Sequence, residues 1–258
     1  MSLILSEFEE GLLILRFNRP DKYNSFNQAM AFELQAALDE AAERSDVRAV
    51  ILTGEGKAFC AGQDLAEVVG PDGPELPDIV AKHYNPIITR IRKLELPVIA
   101  AVNGVAAGAG ANIALACDIV LACESAKFIQ AFSKIGLIPD SGGTFFLPRL
   151  VGFQKALALC MTGEAVGAIE ADAMNMIYKA LPDEDFMEEA KALGLKMAAM
   201  PTKGLAYTKA LFNESYSNSL EEQLDSEGDY QTQAGQTYDY KEGVNAFLEK
   251  RKAIFKGE

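Results

Sequence analysis

The feature that most constrains the fold is a recurring order of apolar strand, glycine-containing turn and helix. Three turns of this kind follow apolar segments, at residues 58–64 (AFCAGQD), 103–110 (NGVAAGAG) and 138–144 (IPDSGGT). Residues 47–52, apart from Arg48, and residues 98–102 are apolar runs, which are typical of strands buried on both faces. Small residues in the turns allow a ligand or another segment to approach the backbone. The pattern predicts a layered α/β core of repeated ββα units.

The segments before and between these turns have simpler signals. Residues 4–9 and 12–18 read as two strands that flank Glu10 and Gly11, and they predict a β-hairpin. The next apolar residues have helical spacing, and Ser25 or Asn27 is the expected N-cap. The Pro/Gly-rich stretch 71–77 (PDGPELP) predicts a mobile loop, and the apolar residues after it predict a helix.

The last third of the chain has a different character. After Phe153 the pattern becomes helical, and the segment 243–255 predicts an amphipathic helix that carries a basic cluster at 250–252. We therefore divide the chain into a core at residues 1–195, which holds the predicted site, and a helical region at 196–258. Such a tail often packs on a partner subunit.

Charge and cysteine content exclude several classes of function. The net charge is −13, whereas binding to nucleic acid or an anionic membrane needs a dense basic face. The first residues have neither a basic leader nor a long apolar stretch, so the default expectation is a cytoplasmic protein. The four cysteines form no C-x-x-C pair and have no histidine nearby, so we predict no metal site. His83, the only histidine, is interpreted as structural.

The second glycine turn has features of an oxyanion hole. Its glycines lead directly into a predicted helix, and the first N–H groups of a helix have no acceptor within that helix. Such groups can stabilise developing negative charge. Close packing of helix on strand uses the same small residues, so the turn alone leaves both interpretations open. The dinucleotide and P-loop motifs are not matched, because the third glycine and the Gly-Lys-Ser/Thr sequence are missing.

Several motifs together resemble those of the crotonase superfamily. The matching segments, in the family's order and spacing, are 59–64, 101–108 (AVNGVAAG), 117–119 (CDI), 136–143 (GLIPDSGG) and 242–251 (EGVNAFLEKR). The resemblance covers nearly the whole chain. It implies a crotonase-like spiral of ββα units with a helical C-terminal trimerisation region, usually assembled as a homotrimer or homohexamer. It also implies an acyl-coenzyme A thioester as substrate and no prosthetic group.

The resemblance also assigns roles to residues. The N–H groups of Gln63 and Ala109 correspond to the family's oxyanion hole, although the family commonly has glycine where Ala109 stands. The carbonyl of Ala61 would accept a hydrogen bond from the adenine amino group, and Lys22 would lie near the coenzyme A phosphates. The remaining residues implied in coenzyme A binding are Gly62, Asp64, Gly108 and Gly110 in the turns, and Phe247 and Lys250 from a neighbouring subunit. Solvated or packing roles remain open for Ala61, Lys22, Phe247 and Lys250.

The reaction depends on which carboxylates are present. Hydratases of the family use two glutamates to activate water, and this sequence has Asn112 and Phe132 at those positions. Neither side chain transfers a proton as a carboxylate does, so efficient hydration is not expected. Asp140 follows Ile138 and Pro139, where one group of enoyl-CoA isomerases and the ring-epoxide isomerase of aerobic phenylacetate degradation have a carboxylate. The sequence around Asp140 is most similar to the latter.

We therefore expect an isomerase in which Asp140 is the acid and base. Walls formed by Phe132, Phe145 and Phe146 would raise the pKa of Asp140 and help it cycle between its two forms. Asp140 as a simple turn or N-cap residue remains an alternative. Two other functions remain open, an enoyl-CoA hydratase of fatty-acid oxidation and a non-enzymatic acyl-CoA or RNA-binding relative. The acidic charge disfavours the RNA-binding alternative.

Overall fold

In the computed structural model, residues 2–70 and 73–258 are described, and they form two β-sheets with helices packed around them. The strands are β1 Ile4–Glu9, β2 Leu12–Phe17, β3 Ala49–Gly54, β4 Ala58–Cys60, β5 Val98–Val102, β6 Val105–Ala107, β7 Ile119–Cys123, β8 Lys127–Ile129, β9 Ala165–Gly167 and β10 Lys179–Leu181. The α-helices are α1 Gln28–Glu43, α2 Leu65–Val68, α3 Leu76–Asp78, α4 Asn85–Lys93, α5 Ala109–Leu115, α6 Gly143–Val151, α7 Phe153–Thr162, α8 Ala168–Ala173, α9 Phe186–Ala198, α10 Thr202–Glu214, α11 Leu220–Gln236 and α12 Tyr238–Glu249. A π-helix joins α3 to α4, and two 3-10 helices lie at Pro20–Lys22 and Ala131–Ile135.

The order of strands confirms the repeated ββα organisation. The larger sheet has the order β1-β2-β3-β5-β7-β10, and the smaller one has the order β4-β6-β8-β9. The consecutive pairs β3/β4, β5/β6 and β7/β8 each place one strand in the larger sheet and the next in the smaller sheet. Each of these pairs is followed by one or more helices, which is the spiral that the sequence predicts.

The core lies around the larger sheet. Every residue of β3 and β5 is buried, and these parallel strands contact the helix α9 and the strand β4 of the smaller sheet. This burial explains why the sequences of both strands are mainly apolar and do not alternate between apolar and polar residues.

The N-terminal predictions are confirmed. β1 and β2 pair antiparallel, as the predicted hairpin requires. Of the two candidate caps for α1, Asn27 is the one used, because its Oδ1 accepts a hydrogen bond from the N–H of Met30 at 2.9 Å. The helix buries Met30, Leu34 and Leu38 against the sheet.

Three local predictions are wrong. The turn predicted at 104–110 contains the strand β6 and the first residues of α5, and the region after Phe153 includes the strands β9 and β10. The final helix ends at Glu249 rather than at 255, because Lys250 has a left-handed conformation with φ of 54° that ends the helix. The cluster at 250–252 therefore lies beyond α12.

The predicted loop at 71–77 is only partly described. Residues 71 and 72 lie outside the described residues, and the short helix α3 begins within the rest of the segment. In the described part of the chain, no helix combines the length and the apolar character needed to cross a bilayer.

Candidate active site

The first glycine turn connects β4 to α2, and its shape depends on Gly62. Gly62 has a φ of +93°, a conformation that residues with a side chain rarely adopt. A Cβ at this position would lie 2.9 Å from the carbonyl oxygen of Ala107 and 3.6 Å from the amide nitrogen of Ala109. The first and second glycine turns therefore lie directly against each other, and only glycine permits the contact.

A parallel bridge orients the amide of Gln63. The N–H of Phe26 donates to the carbonyl of Gly62 at 2.7 Å, and the N–H of Asp64 donates to the carbonyl of Phe26 at 2.8 Å. In such a bridge the residue between the two bonds has its own N–H and C=O on the opposite side. The N–H of Gln63 consequently faces away from Phe26 and has no backbone acceptor among the described residues.

The second turn presents the amide of Ala109. Gly108, with φ of 53° and ψ of −126°, reverses the chain, and its N–H donates to the carbonyl of Ile129 at 2.8 Å. Ala109 is the first residue of α5, so its N–H has no partner within the helix. Gly110 allows α5 to pack on β4, because a Cβ there would lie 2.3 Å from the carbonyl oxygen of Cys60. The turn therefore packs tightly and also leaves the amide of Ala109 without a partner in the helix, so both interpretations stay open.

Asp140 lies in the loop between the 3-10 helix Ala131–Ile135 and α6, and its side chain is half-buried. Burial raises the pKa of its carboxyl group, and a hydrogen bond from the hydroxyl of Ser141 to Oδ1 at 2.8 Å partly opposes this shift. The backbone carbonyl of Asp140 accepts hydrogen bonds from Asn112 Nδ2 and from the N–H of Gly143, both at 2.8 Å. The position of Asp140 is therefore fixed through its main chain, and Ser141 is the one side chain described as bonded to its carboxyl group.

The three phenylalanines predicted as walls have different positions. Phe132 is buried, and its ring is 3.7 Å from where a Cβ on Gly108 would stand, so it borders the second glycine turn. Phe146 packs under the loop of Asp140, because a Cβ on Gly142 would lie 2.6 Å from its ring. Phe145 is 41% exposed and packs edge-to-face against Phe146, so it is the least enclosed of the three.

Tyr84 belongs to this site, although the sequence analysis did not select it. Its ring is fully buried, and its hydroxyl donates to Oε1 of Gln63 at 2.8 Å. Burial raises its pKa well above the usual value, and negative charges near the site, including that of Asp140, add to the shift. The available signal was the helical spacing that Tyr84 shares with Ile87, Ile88 and Ile91.

The residues implied in coenzyme A binding are only partly brought together. Lys22 and Ala61 are exposed at the edge of the first turn. Burial would raise the pKa of Asp64, but the hydrogen bond and charge of Arg19 and the N–H of Ala66 outweigh it, so the pKa is lowered. Asp64 thus pairs with Arg19 at 2.8 Å and caps α2.

Phe247 and Lys250 are located elsewhere in the chain. Phe247 is 83% exposed and lines a groove between α10 and α12, and none of the residues of the two glycine turns lines that groove. Lys250 caps the C-terminal end of α12. Across residues 2–70 and 73–258, no group of three His, Cys, Asp or Glu side chains is placed to bind a metal ion.

Comparisons with known proteins agree with this architecture. The sequence model described as enoyl-CoA hydratase/isomerase matches residues 7–258. The chain is 47% identical over 262 residues to the 1,2-epoxyphenylacetyl-CoA isomerase of Escherichia coli K12, with 100% of both chains covered. It is 46% identical over 251 residues to a Rhodobacter capsulatus protein named "Probable enoyl-CoA hydratase", covering 97% of this chain and 96% of that one. The crystal structure of an enoyl-CoA hydratase from Bacillus anthracis superposes with a TM-score of 0.93 at 33% identity, covering 100% of both chains.

Proposed function

The chain belongs to the enoyl-CoA hydratase/isomerase family, and from this premise we propose that it is an acyl-CoA isomerase with Asp140 as its acid and base. The observation that carries the proposal is a partly buried carboxyl group, that of Asp140, whose charge is not paired with a basic side chain in the described part of the chain. Asp140 is half-buried with a raised pKa, whereas the positions of the hydratase glutamates hold Asn112 and Phe132. An amide and a phenyl ring have no proton to exchange at neutral pH, so a single group must both remove and return the proton.

The proposed reaction follows from these groups. The carboxylate of Asp140 removes a proton from the α-carbon of a 3-enoyl thioester, and the C–H electrons delocalise to give an enolate. The N–H groups of Gln63 and Ala109 hold the enolate oxygen, and donors of this kind are typically worth about 10²–10³-fold in rate each. Protonated Asp140 then returns the proton to the γ-carbon, which moves the double bond from the β,γ to the α,β position. A pKa raised by burial favours this cycle, because both protonation states become accessible.

The experiment is incubation with 3-enoyl-CoA in deuterated water, with wild type compared to Asp140→Asn. Isomerisation is followed by absorbance, and deuterium uptake and hydration by mass. We expect isomerisation with little hydration in the wild type and loss of isomerisation in the variant. Asparagine keeps the shape and the Oδ1 acceptor for Ser141 but cannot take the proton. An Asp140→Asn variant that isomerises at the wild-type rate would refute the proposal.

A second candidate function is hydration of an enoyl-CoA, which the similarity to the Rhodobacter capsulatus protein favours. Crotonyl-CoA separates the two, because a hydratase adds water to it and the proposed isomerase does not. Hydration at a useful rate that survives in Asp140→Asn would make this the leading function.

The acyl group distinguishes a straight-chain isomerase from a ring-epoxide isomerase. We favour a ring-epoxide substrate, as in phenylacetate catabolism, because of the 47% identity to the Escherichia coli isomerase. A direct comparison of kcat/KM for 3-enoyl-CoA and for the ring epoxide of phenylacetyl-CoA tests this assignment. A higher value for the straight-chain substrate would contradict it.

The helical region at 196–258 is proposed to join subunits into a homotrimer or homohexamer and to close the coenzyme A site. None of the 17 residues of α11 is buried, and Leu220 and Leu224 on this helix are exposed. Phe247 is also exposed, although an aromatic side chain of this size is usually covered. Sedimentation equilibrium measures the assembly, and Phe247→Ala and Lys22→Met should raise KM with kcat retained if both residues bind coenzyme A.

A further inference from the structure

Two buried amide side chains form a chain of hydrogen bonds that ends on the backbone of Asp140. Asn112 Nδ2 donates to the carbonyl of Asp140 at 2.8 Å, and Gln130 Nε2 donates to Asn112 Oδ1 at 2.8 Å. A backbone carbonyl can only accept, so Nδ2 of Asn112 must face Asp140 and Oδ1 must face Gln130. Asn112 is fully buried and Gln130 is 5% exposed, so water does not compete for these bonds.

The surrounding backbone leaves room for Asn112 and for little else. A Cβ on Gly143 would lie 2.3 Å from Asn112 Nδ2, so the first residue of α6 must be glycine for the amide to reach the carbonyl. The N–H of Gly143 donates to the same carbonyl at 2.8 Å. The carbonyl of Asp140 is thus held by its own turn and, through Asn112, by α5.

Gln130 retains one polar atom that is not satisfied. Its Oε1 is buried and has no hydrogen-bond partner in the described part of the chain. An unpaired buried carbonyl destabilises a fold, and such atoms in native proteins call for an explanation. Among residues 2–70 and 73–258, the side chain of Gln130 makes one hydrogen bond, to Asn112, so orientation of Asn112 is the role that explains its presence.

We propose that Asn112 is a positioning residue for Asp140 and that Gln130 acts through Asn112, an inference that rests on the proposed role of Asp140 as the base. Ala109, whose N–H is proposed to bind the enolate oxygen, lies one helical turn before Asn112 on α5. One turn of helix therefore fixes both the oxyanion donor and the loop that carries the base. The distance between base and enolate is set by Asn112, and a misplacement of about 1 Å can cost about 10²-fold in rate.

The first test is Asn112→Leu, which keeps a similar volume and removes the donor. We expect kcat to fall by about 10–100-fold while KM for the acyl-CoA stays constant, because the coenzyme A moiety is bound by other residues. Gln130→Leu should give a smaller fall in kcat. It removes the unsatisfied carbonyl of Gln130 but leaves Asn112 Oδ1 without its donor, so the two effects on stability oppose each other. This variant decides the question if Asn112→Leu does not fold.

A second measurement separates positioning from a purely structural role. Asn112→Leu removes the donor and adds no charge, so a change in the pKa of Asp140 in this variant reports a moved carboxyl group. Because burial is what raises that pKa, release of the loop should lower it in the pH profile of kcat and in carboxyl ¹³C NMR, where subtraction of the Asp140→Asn spectrum identifies its signal. Tyr84 ionises only far above this range, so it does not contribute to the profile.

Asn18→Leu is the matched control. Asn18 Nδ2 also donates to a backbone carbonyl, that of Ser2 at 2.9 Å, but it lies beside the N-terminal hairpin at the edge of the larger sheet. We expect its kcat and the pKa of Asp140 to match the wild type. If folded Asn112 and Gln130 variants also keep the wild-type kcat and pKa, the positioning role is refuted. An active Asp140→Asn variant would instead refute the proposed function, so the two failures are distinguishable.

Discussion

Replacing Gly62 by alanine tests whether the first glycine turn forms half of an oxyanion hole. The φ of +93° at Gly62 disfavours any residue with a Cβ, and the added atom would stand 2.9 Å from the carbonyl oxygen of Ala107. That contact involves two backbone segments, so relief requires the two glycine turns to move apart. The N–H of Gln63 would then shift relative to that of Ala109.

The expected effects have two parts. The unfavourable φ alone costs about 1–3 kcal/mol of folding free energy. Displacement of the amide of Gln63 removes one oxyanion donor, which lowers kcat by about 10²–10³-fold. Because the donor acts mainly on the enolate, KM should change much less than kcat.

Gly152→Ala is the matched control, because Gly152 has a φ of +80° but nothing within 4 Å of an added Cβ. It should show the conformational cost without the loss of activity. The assay is steady-state isomerisation of 3-enoyl-CoA, with urea denaturation to measure the free energy of unfolding. The reasoning is refuted if the two variants have the same kcat, since the separation of the turns would then have no catalytic effect.

Three further predictions concern the buried charged and ionisable groups. Burial raises the pKa of Asp140, so its favourable contribution to stability is complete below its ordinary pKa and is lost as pH rises through the folded-state pKa. In calorimetry, Asp140→Asn should therefore have a higher melting temperature than the wild type at pH 8, and this difference should disappear near about pH 3. A lower melting temperature of the variant at pH 8 would contradict burial as the cause. Asp118→Ala should lower the free energy of unfolding, measured in urea, by about 3–5 kcal/mol. The reason is that the buried ammonium group of Lys209, which lies 2.8 Å from Asp118 Oδ2, would lose its counterion. A loss below about 1 kcal/mol would show that the pair is effectively solvated. Burial raises the pKa of the Cys60 thiol to about 12 and raises that of Cys117 further. Neither thiol should therefore react with a maleimide at pH 8 until the protein unfolds. Mass spectrometry of labelled peptides measures this reactivity.

The elements that sequence analysis predicted well are those with long local patterns. The hairpin, α1, β3 and β5 each show a clear periodicity or a continuous apolar run. The strands β6 and β9 have three residues each, which is too short for any periodicity to develop. Their strand conformation depends on pairing with β8, a non-local contact that no local window of sequence contains.

The candidate site follows the same division. Gly62 and Gly108 were identifiable because glycine in a turn after a strand indicates an unusual backbone conformation, and both have positive φ. The contact between Tyr84 and Gln63 joins residues 21 positions apart, and the bond between Gln130 and Asn112 spans 18 positions. An amide or a phenol has no preferred partner type in sequence, so these contacts follow only from the three-dimensional packing.

The way the site is built explains how one fold can serve different reactions. The proposed oxyanion donors are backbone N–H groups, and their positions depend on the glycines around them rather than on their own side chains. On this proposal only the amide of Ala109 is used, so alanine can stand where the family commonly has glycine. The proposed acid and base is the side chain of Asp140, and Asn112 and Phe132, which stand where the resemblance puts the hydratase glutamates, supply no proton transfer on this proposal. Asn112 also gains a donor that a glutamate carboxylate lacks, and that donor reaches the carbonyl of Asp140. On this proposal, a substitution that removes one catalytic carboxylate also positions another. The coupling predicts that Asn112→Glu alone will not restore hydration, because it removes the donor to the Asp140 carbonyl and does not supply the second glutamate.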